Sequence, residues 1–534
     1  MRRIMFLALA CGLLLSGCGS SSSLEPSGVA GGHSNSTAAA TQCLQILSGV
    51  DLEAATVPEL QQALHAGAIT SEALMSAYLQ RIATFDTKLD SIRALAPDLL
   101  EQARAADKAR GAGSATGALQ GIPILLKDNI GTTDMPTTAG SIALALNVPK
   151  SEASITRKLR EAGAIVMGKA NLSEFANWVD LRMPNGYSSL GGQVVAPYDF
   201  KLDPLGSSTG SSVAGTMAFS ALTIGSETSG SIIAPSEVQS MVGVKPTLGL
   251  VSRHGIIPLA PSFDTAGPIV RNVTDAALLL GVIAGVDPDD AATARFTSSP
   301  LNGSVPDYLA ALSVAALKGA RLGVRSGDLD LGDPLFTAAV AVLRERGAEL
   351  ITIQDPQDLD SAVAEIELGA IFNEFKVSLN HYLANDAGAA TPVHTLADII
   401  AFNSMHTDKV KYGQTLLQLS DAQSGLDMDP IELAARTAAI NAAQLWIDTI
   451  SDQNRLDAII GLDDSNVGVT AAAGYPDVTV PMGYEGQKPH GLEFAGKAFT
   501  EARLLALAYD YEQATKLRRP PTEINPELRK SCPP

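Results

Sequence analysis

The hydrophobic positions of this chain alternate between helical and strand spacing. Leu74, Ala77, Tyr78 and Ile82 fall on one face at the 3.6-residue period, so residues 57–112 read as mainly helical. Ser71 is a candidate N-cap there, and a second helix is expected from Leu99 to Arg110. Five short apolar runs follow: Ile122 to Leu126, with Lys127 at its end, Ala164 to Asn171, Arg321 to Arg325, Leu456 to Gly461, and Val478 to Met482. Each suits a strand buried on both faces, and helix-like segments separate most of them. The alternation predicts an α/β fold, a large mixed sheet covered by helices on both faces, in one large domain. Residues 287–450 read as helix-rich, and 456–510 return to strand patterns. The run from Ala277 to Val286 is the size of a core helix, well short of the ~20 apolar residues that a membrane span needs.

The first residues break this pattern. Arg2 and Arg3 precede an apolar stretch, Ile4 to Leu15, and the stretch ends in Leu15-Ser16-Gly17-Cys18. This resembles a bacterial lipobox, in which the cysteine becomes the lipidated first residue of the mature protein. Residues 1–17 are therefore expected to be a signal peptide, Cys18 the lipidation site, and the Ser/Gly/Ala-rich residues 18–42 a tether. Gly19 resembles the residue of lipoproteins sent on to the outer membrane. The expected location is the bacterial cell envelope, on the periplasmic face of that membrane, held only by the lipid. Cys43 and Cys532 bracket the body, residues 43–534. In an oxidising compartment they are a candidate disulfide, with two unrelated thiols as the alternative.

Composition narrows the function. Of 534 residues 46% are hydrophobic, enough for a folded core. The net charge of -19 repels phosphate backbones, and aromatics at 5% offer few stacking platforms, so nucleic acid is not an expected partner. Neither C-x-x-C nor H-E-x-x-H occurs, so no metal site is read and no cofactor is expected.

Candidate chemistry concentrates in residues 205–236, LGSSTGSSVAGTMAFSALTIGSETSGSIIAPS. Small residues dominate, yet Val213, Met217, Phe219, Leu222 and Ile224 interrupt them, so the segment is expected to pack. A packed Gly/Ser run suits backbone N–H groups gathered around an oxyanion.

Further blocks accompany this one: GIPILLKDNI (121–130), GKANLSEFAN (168–177), VGVKPTLGLVSRHGIIPLAPSFDTAGPI (242–269) and AAGYPDVTVPMG (472–483). In this order the chain resembles the amidase signature family, with a signature core over about 120–275. Within the family it is most similar to bacterial peptide amidases, through LSEFAN, SETSGSI, VSRHGIIP and YEQATKLRRPP. The resemblance implies a Ser-Ser-Lys amidohydrolase with Lys127 as base, Ser207 as relay behind a cis peptide bond, and Ser231 as nucleophile. Backbone N–H groups of Thr228, Ser229, Gly230 and Ser231 would form the oxyanion hole. The substrate would be a small-molecule or peptide amide, with peptide C-terminal amides the first expectation. Glu227, Ser229 and Ile233 depart from the usual Asp, Gly and Arg of the family. The segment after Leu456 to Ile460 also departs, where a loop bordering the substrate pocket is expected.

Three other readings compete. Gly206-Ser207-Ser208-Thr209-Gly210 also fits the nucleophile elbow of α/β-hydrolases, an esterase-type site with Ser208 as nucleophile and one of His254, His381, His394, His406 or His490 as base. The family's amidotransferase subunit would need cytoplasmic partners, which an exported lipoprotein would not meet. A non-catalytic binding lipoprotein on an amidase fold would not need the Lys127, Ser207 and Ser231 set. Asp128, Asn129 and Asp264 are expected to be structural, and Arg253 a local salt-bridge partner. The oligomeric state is not read from the sequence.

Overall fold

The computed structural model describes residues 45–114, 117–355, 359–424 and 430–530. Cys18, Cys43 and Cys532 lie outside the described residues. The helical reading of residues 57–112 resolves into three helices, Val57–His65, Ser71–Phe85 and Leu99–Gly111. Thr70, one residue before the expected cap, accepts from the backbone of Ala73 and starts the second helix. Leu74, Tyr78 and Ile82 are buried as their spacing requires. Between the second and third helices the chain forms a strand that the pattern did not announce, Ile92–Leu95.

That strand is the first of eleven in one sheet. In chain order they are β1 (Ile92–Leu95), β2 (Pro123–Lys127), β3 (Ile165–Ala170), β4 (Leu222–Glu227), β5 (Val242–Lys245), β6 (Thr265–Val270), β7 (Arg321–Arg325), β8 (Glu349–Ile353), β9 (Ala458–Leu462), β10 (Asp477–Glu485) and β11 (Lys488–Ala495). Their spatial order is β8-β7-β9-β11-β10-β5-β6-β4-β2-β3-β1. The strands β2, β3 and β4 run parallel, β7, β8 and β9 run parallel, and antiparallel strands join the two groups. Successive strand residues point to opposite faces, so the complete burial of β2 to β6 means that both faces are covered. The edge strands β1 and β8 are partly exposed.

The main core runs along this sheet. A second core, including Phe175, Trp178, Phe375 and Leu379, sits between the chain after β3 and a long helix, Leu359–Asn385. That helix packs on another, Pro430–Asn454, within the helix-rich region. Among the described residues no helix is long and apolar enough to cross a membrane.

Candidate active site

Parallel pairing of β2 with β4 sets the site. Leu126 lies opposite Ile224, so both strands end together, β2 in Lys127 and β4 in Ser226 and Glu227. Ligands in open α/β sheets gather at such carboxyl ends. Lys127 is fully buried. Its Nζ donates to the Ser226 carbonyl at 2.9 Å and lies 2.8 Å from Ser207 Oγ. Burial pushes its pKa down to about 7, and the negative charges of Asp264 and Glu227 oppose that shift only in part. A lysine with this pKa is substantially neutral at physiological pH and can accept a proton.

Ser207 follows a cis peptide bond from Gly206. Its carbonyl accepts from Ser173 N at 3.1 Å, and Ser208 N donates to the Ser231 carbonyl at 3.1 Å. Lys127 and Ser207 thus meet through their side chains, and the backbone of Ser231 lies against that of Ser208. Among the described residues no hydrogen bond joins the Ser207 and Ser231 hydroxyls; the two serine segments meet through the backbone. Catalytic hydrogen bonds of this kind often tighten only around substrate.

Gly/Ser richness here reflects close approach. A Cβ on Gly210 would stand 2.3 Å from the Asn171 carbonyl oxygen, and one on Gly225 would stand 2.7 Å from Ser208 Oγ. Gly230 adopts φ +80, the left-handed region that glycine tolerates. It turns the loop 228–231 into the short helix Ile233–Glu237. Glu227 holds that turn: its Oε2 accepts from Ile232 N at 2.7 Å and Ile233 N at 3.1 Å. This is a concrete role for the residue that departs from the usual Asp. The side chains of Thr228 and Ser229 are anchored to Asp264, at 2.6 Å, and Glu367, at 3.4 Å. Among the described residues the backbone N–H groups of Ser229, Gly230 and Ser231 have no protein acceptor. They are free to meet a developing oxyanion.

The Ser208 elbow does not fit this geometry. Ser208 Oγ is fully buried, donates to the Ser226 carbonyl at 3.0 Å and accepts from Ser226 N at 3.2 Å. Among the described residues none of the five candidate histidines bonds to Ser207, Ser208 or Ser231. His490 instead pairs with Asp463 at 2.8 Å, and His406 with the Phe402 carbonyl at 2.8 Å.

Of the other residues, Asp128 pairs with Arg93 at 2.7 Å, and Arg253 with Asp290 at 2.6 Å. Two further buried lysines were not anticipated. Lys169 donates to the Ile130 carbonyl and, at 2.8 Å, to Thr137 Oγ1; Lys245 donates to the Tyr475 carbonyl. Both stand in signature motifs, GKAN and VGVKP, but only the fold shows that they are buried.

Beside the site lies a cavity of about 420 Å³. Asn129, Ser226 and Thr228 are among its lining residues, and the long helix contributes Val377, His381 and Tyr382. The segment after β9 does not line this cavity, but its helix, Val467–Ala473, reaches the loop 228–231, with Val467 Cγ1 3.3 Å from a Cβ position on Gly230.

A buried lysine beside serine segments at the strand ends suits hydrolysis through a serine nucleophile, and comparison with known proteins gives the class. The amidase family profile matches residues 73–505, and the chain belongs to that family. A probable amidase of Arabidopsis thaliana is 37% identical over 491 residues, 90% of this chain and 94% of the relative. The native peptide amidase of Stenotrophomonas maltophilia superposes with a TM-score of 0.82 at 41% identity, covering 87% of this chain and 98% of that one. A glutamyl-tRNA(Gln) amidotransferase chain of Thermotoga maritima shares the fold at a TM-score of 0.62 and 23% identity, covering 87% of this chain and 95% of that one. The protein is an amidase-family hydrolase that cleaves amides.

Proposed function

We propose that the protein hydrolyses carboxamide C–N bonds, peptide C-terminal amides first among them, through Lys127, Ser207 and Ser231. The observation that carries this reading is a fully buried Lys127 Nζ 2.8 Å from Ser207 Oγ, where the Ser207 and Ser231 segments meet. Neutral Lys127 accepts a proton from Ser207, which takes one from Ser231. The Ser231 oxygen bonds to the amide carbon, and the carbonyl oxygen becomes an anion held by the loop amides of 228–231. The relay returns its proton to the departing nitrogen, the C–N bond breaks, and water hydrolyses the acyl-enzyme. The likeness to peptide amidase structures supports peptide amides as substrates. The lipobox-like start and polar tether support an exported, lipid-anchored enzyme in the cell envelope.

The test is a set of purified variants assayed on peptide amides. Ser231→Ala and Lys127→Ala are expected to lose about four orders of magnitude in kcat, and Ser207→Ala somewhat less. Alanine at His254 or His490 leaves kcat within a few-fold. A serine-directed phosphonate labels the peptide carrying Ser231. A dead histidine variant beside an active Lys127→Ala enzyme, both folded, rejects the proposal.

A further inference from the structure

The lining of the cavity beside the site mixes polar, apolar and acidic residues. Asn129, only 5% exposed, is one of the polar ones. Its Nδ2 donates to Ser226 Oγ at 2.8 Å, which leaves Oδ1 with no partner among the described residues. A buried acceptor without a donor is costly, so this oxygen is open to an N–H group of a molecule that enters the cavity. Phe175, Ile257, Leu259 and Val377 make part of the lining apolar.

Four carboxylates line the cavity, Asp264, Asp289, Asp290 and Asp386, with one guanidinium, Arg253, and two imidazoles, His254 and His381. Two of the four are satisfied within the protein. Asp264 accepts from Thr228 Oγ1 and from the backbone of Leu259 and Ala260, and Asp290 is held by Arg253. Asp289, exposed, and Asp386, half-buried, have no side-chain donor or cation among the described residues. Lys150 comes near Asp386, but its ammonium is engaged by the carbonyls of Ala384 and Asn385. Two carboxylates without a protein partner among the described residues, one exposed and one half-buried, therefore line the same cavity as an unpaired acceptor. These carboxylates and Asn129 are independent features, and both ask for a donor.

We propose that this cavity selects cationic amide substrates: peptide amides that place an N–H group on Asn129 Oδ1 and an arginine- or lysine-like positive charge at Asp289 and Asp386. The inference rests on the peptide-amide reading above and names the substrate class within it. A neutral substrate would leave these charges solvated and indifferent. An anionic one would meet repulsion from them.

The experiment compares acetyl-Arg-Leu-amide, acetyl-Gln-Leu-amide and acetyl-Glu-Leu-amide, as substrates and as competitors of the hydrolysis of a simple aliphatic amide, hexanamide. In the wild-type enzyme kcat/KM is expected to rank Arg above Gln above Glu, with the steps reduced at high salt. Each of the two carboxylates is expected to contribute about fivefold. Asp289→Asn with Asp386→Asn brings the Arg and Glu peptides together and leaves the Gln peptide and hexanamide unchanged. Asn129→Ala raises KM for all three peptides by a similar factor, because its contact is independent of the charge. If the peptides are not hydrolysed while hexanamide is, the peptide-amide reading fails, and the same ranking in competition then decides the cation site. An Arg peptide no better than the Glu peptide in turnover and in competition overturns the inference, as does a preference that survives the double substitution.

Discussion

At the residue scale the proposed chemistry depends on keeping one lysine dry. Lys127 leaves the end of a strand that is buried on both faces, and this burial, more than any neighbouring charge, holds its pKa at about 7. Its conjugate acid cannot act as a base, so the active fraction grows as pH rises through that value. The expected kcat/KM falls about tenfold per unit below pH ~7 and levels above it. A second group complicates the window: burial lifts the Glu367 carboxyl to about 7, beside Ser229 of the proposed oxyanion loop. Glu367→Gln separates the two. The acid limb should persist in that variant, and a limb that vanishes with Glu367 would take the titration away from Lys127.

Among the elements, the helix Thr209–Thr216 shows how the Gly/Ser segment serves packing and chemistry together. It starts just after the candidate relay serine, and every residue in it is buried. Gly210 touches the backbone after β3 so closely that an added methyl would overlap the Asn171 carbonyl oxygen. Gly210→Ala must push the helix away from the strand ends, and Ser207 with it. Denaturant unfolding should show a loss of about 1–3 kcal/mol, and kcat should fall more than a mere loss of stability explains. Unchanged kcat in the folded variant would show that the helix position is not transmitted to Ser207.

For the whole molecule, the two ends of the described body are tied together. Glu53 pairs with the buried Arg81, accepts from Thr522 Oγ1 at 3.2 Å, and receives Arg518 on its carbonyl at 3.0 Å. These contacts bring the N-terminal and C-terminal segments side by side, which supports the proposal that Cys43 and Cys532 are joined. One preparation tests this together with the anchor. The wild-type protein is expected in the membrane fraction and Cys18→Ala in the soluble fraction with its amidase activity kept. Non-reducing peptide mapping of that soluble form should find Cys43 linked to Cys532. Such a bridge would stabilise by about 2–4 kcal/mol. Free thiols at both positions, or a variant that stays with the membrane, would reject the respective half.

Much of this architecture is local and therefore readable from one chain. The strands β2, β3 and β7 appear as apolar runs because both of their faces are buried, and Lys127, Ser207 and Ser231 stand in motifs whose order is informative. Other features depend on what the rest of the fold brings near. β4 lies hidden in a Gly/Ser run, and β1 is too short and exposed at the sheet edge to register as a pattern. The resemblance puts Ser207 beside the lysine while GSSTG alone leaves Ser208 open as a rival; in the fold Lys127 meets Ser207, and Ser208 turns into the backbone of Ser226. Asn129, expected to be structural, shares the lining of a cavity with Val377 and His381, on a helix more than 200 residues later. Sequence determined the candidate reacting groups, since their identity is chemical and local. Tertiary structure decided which of them meet and what charge surrounds them, since both depend on contacts between distant segments.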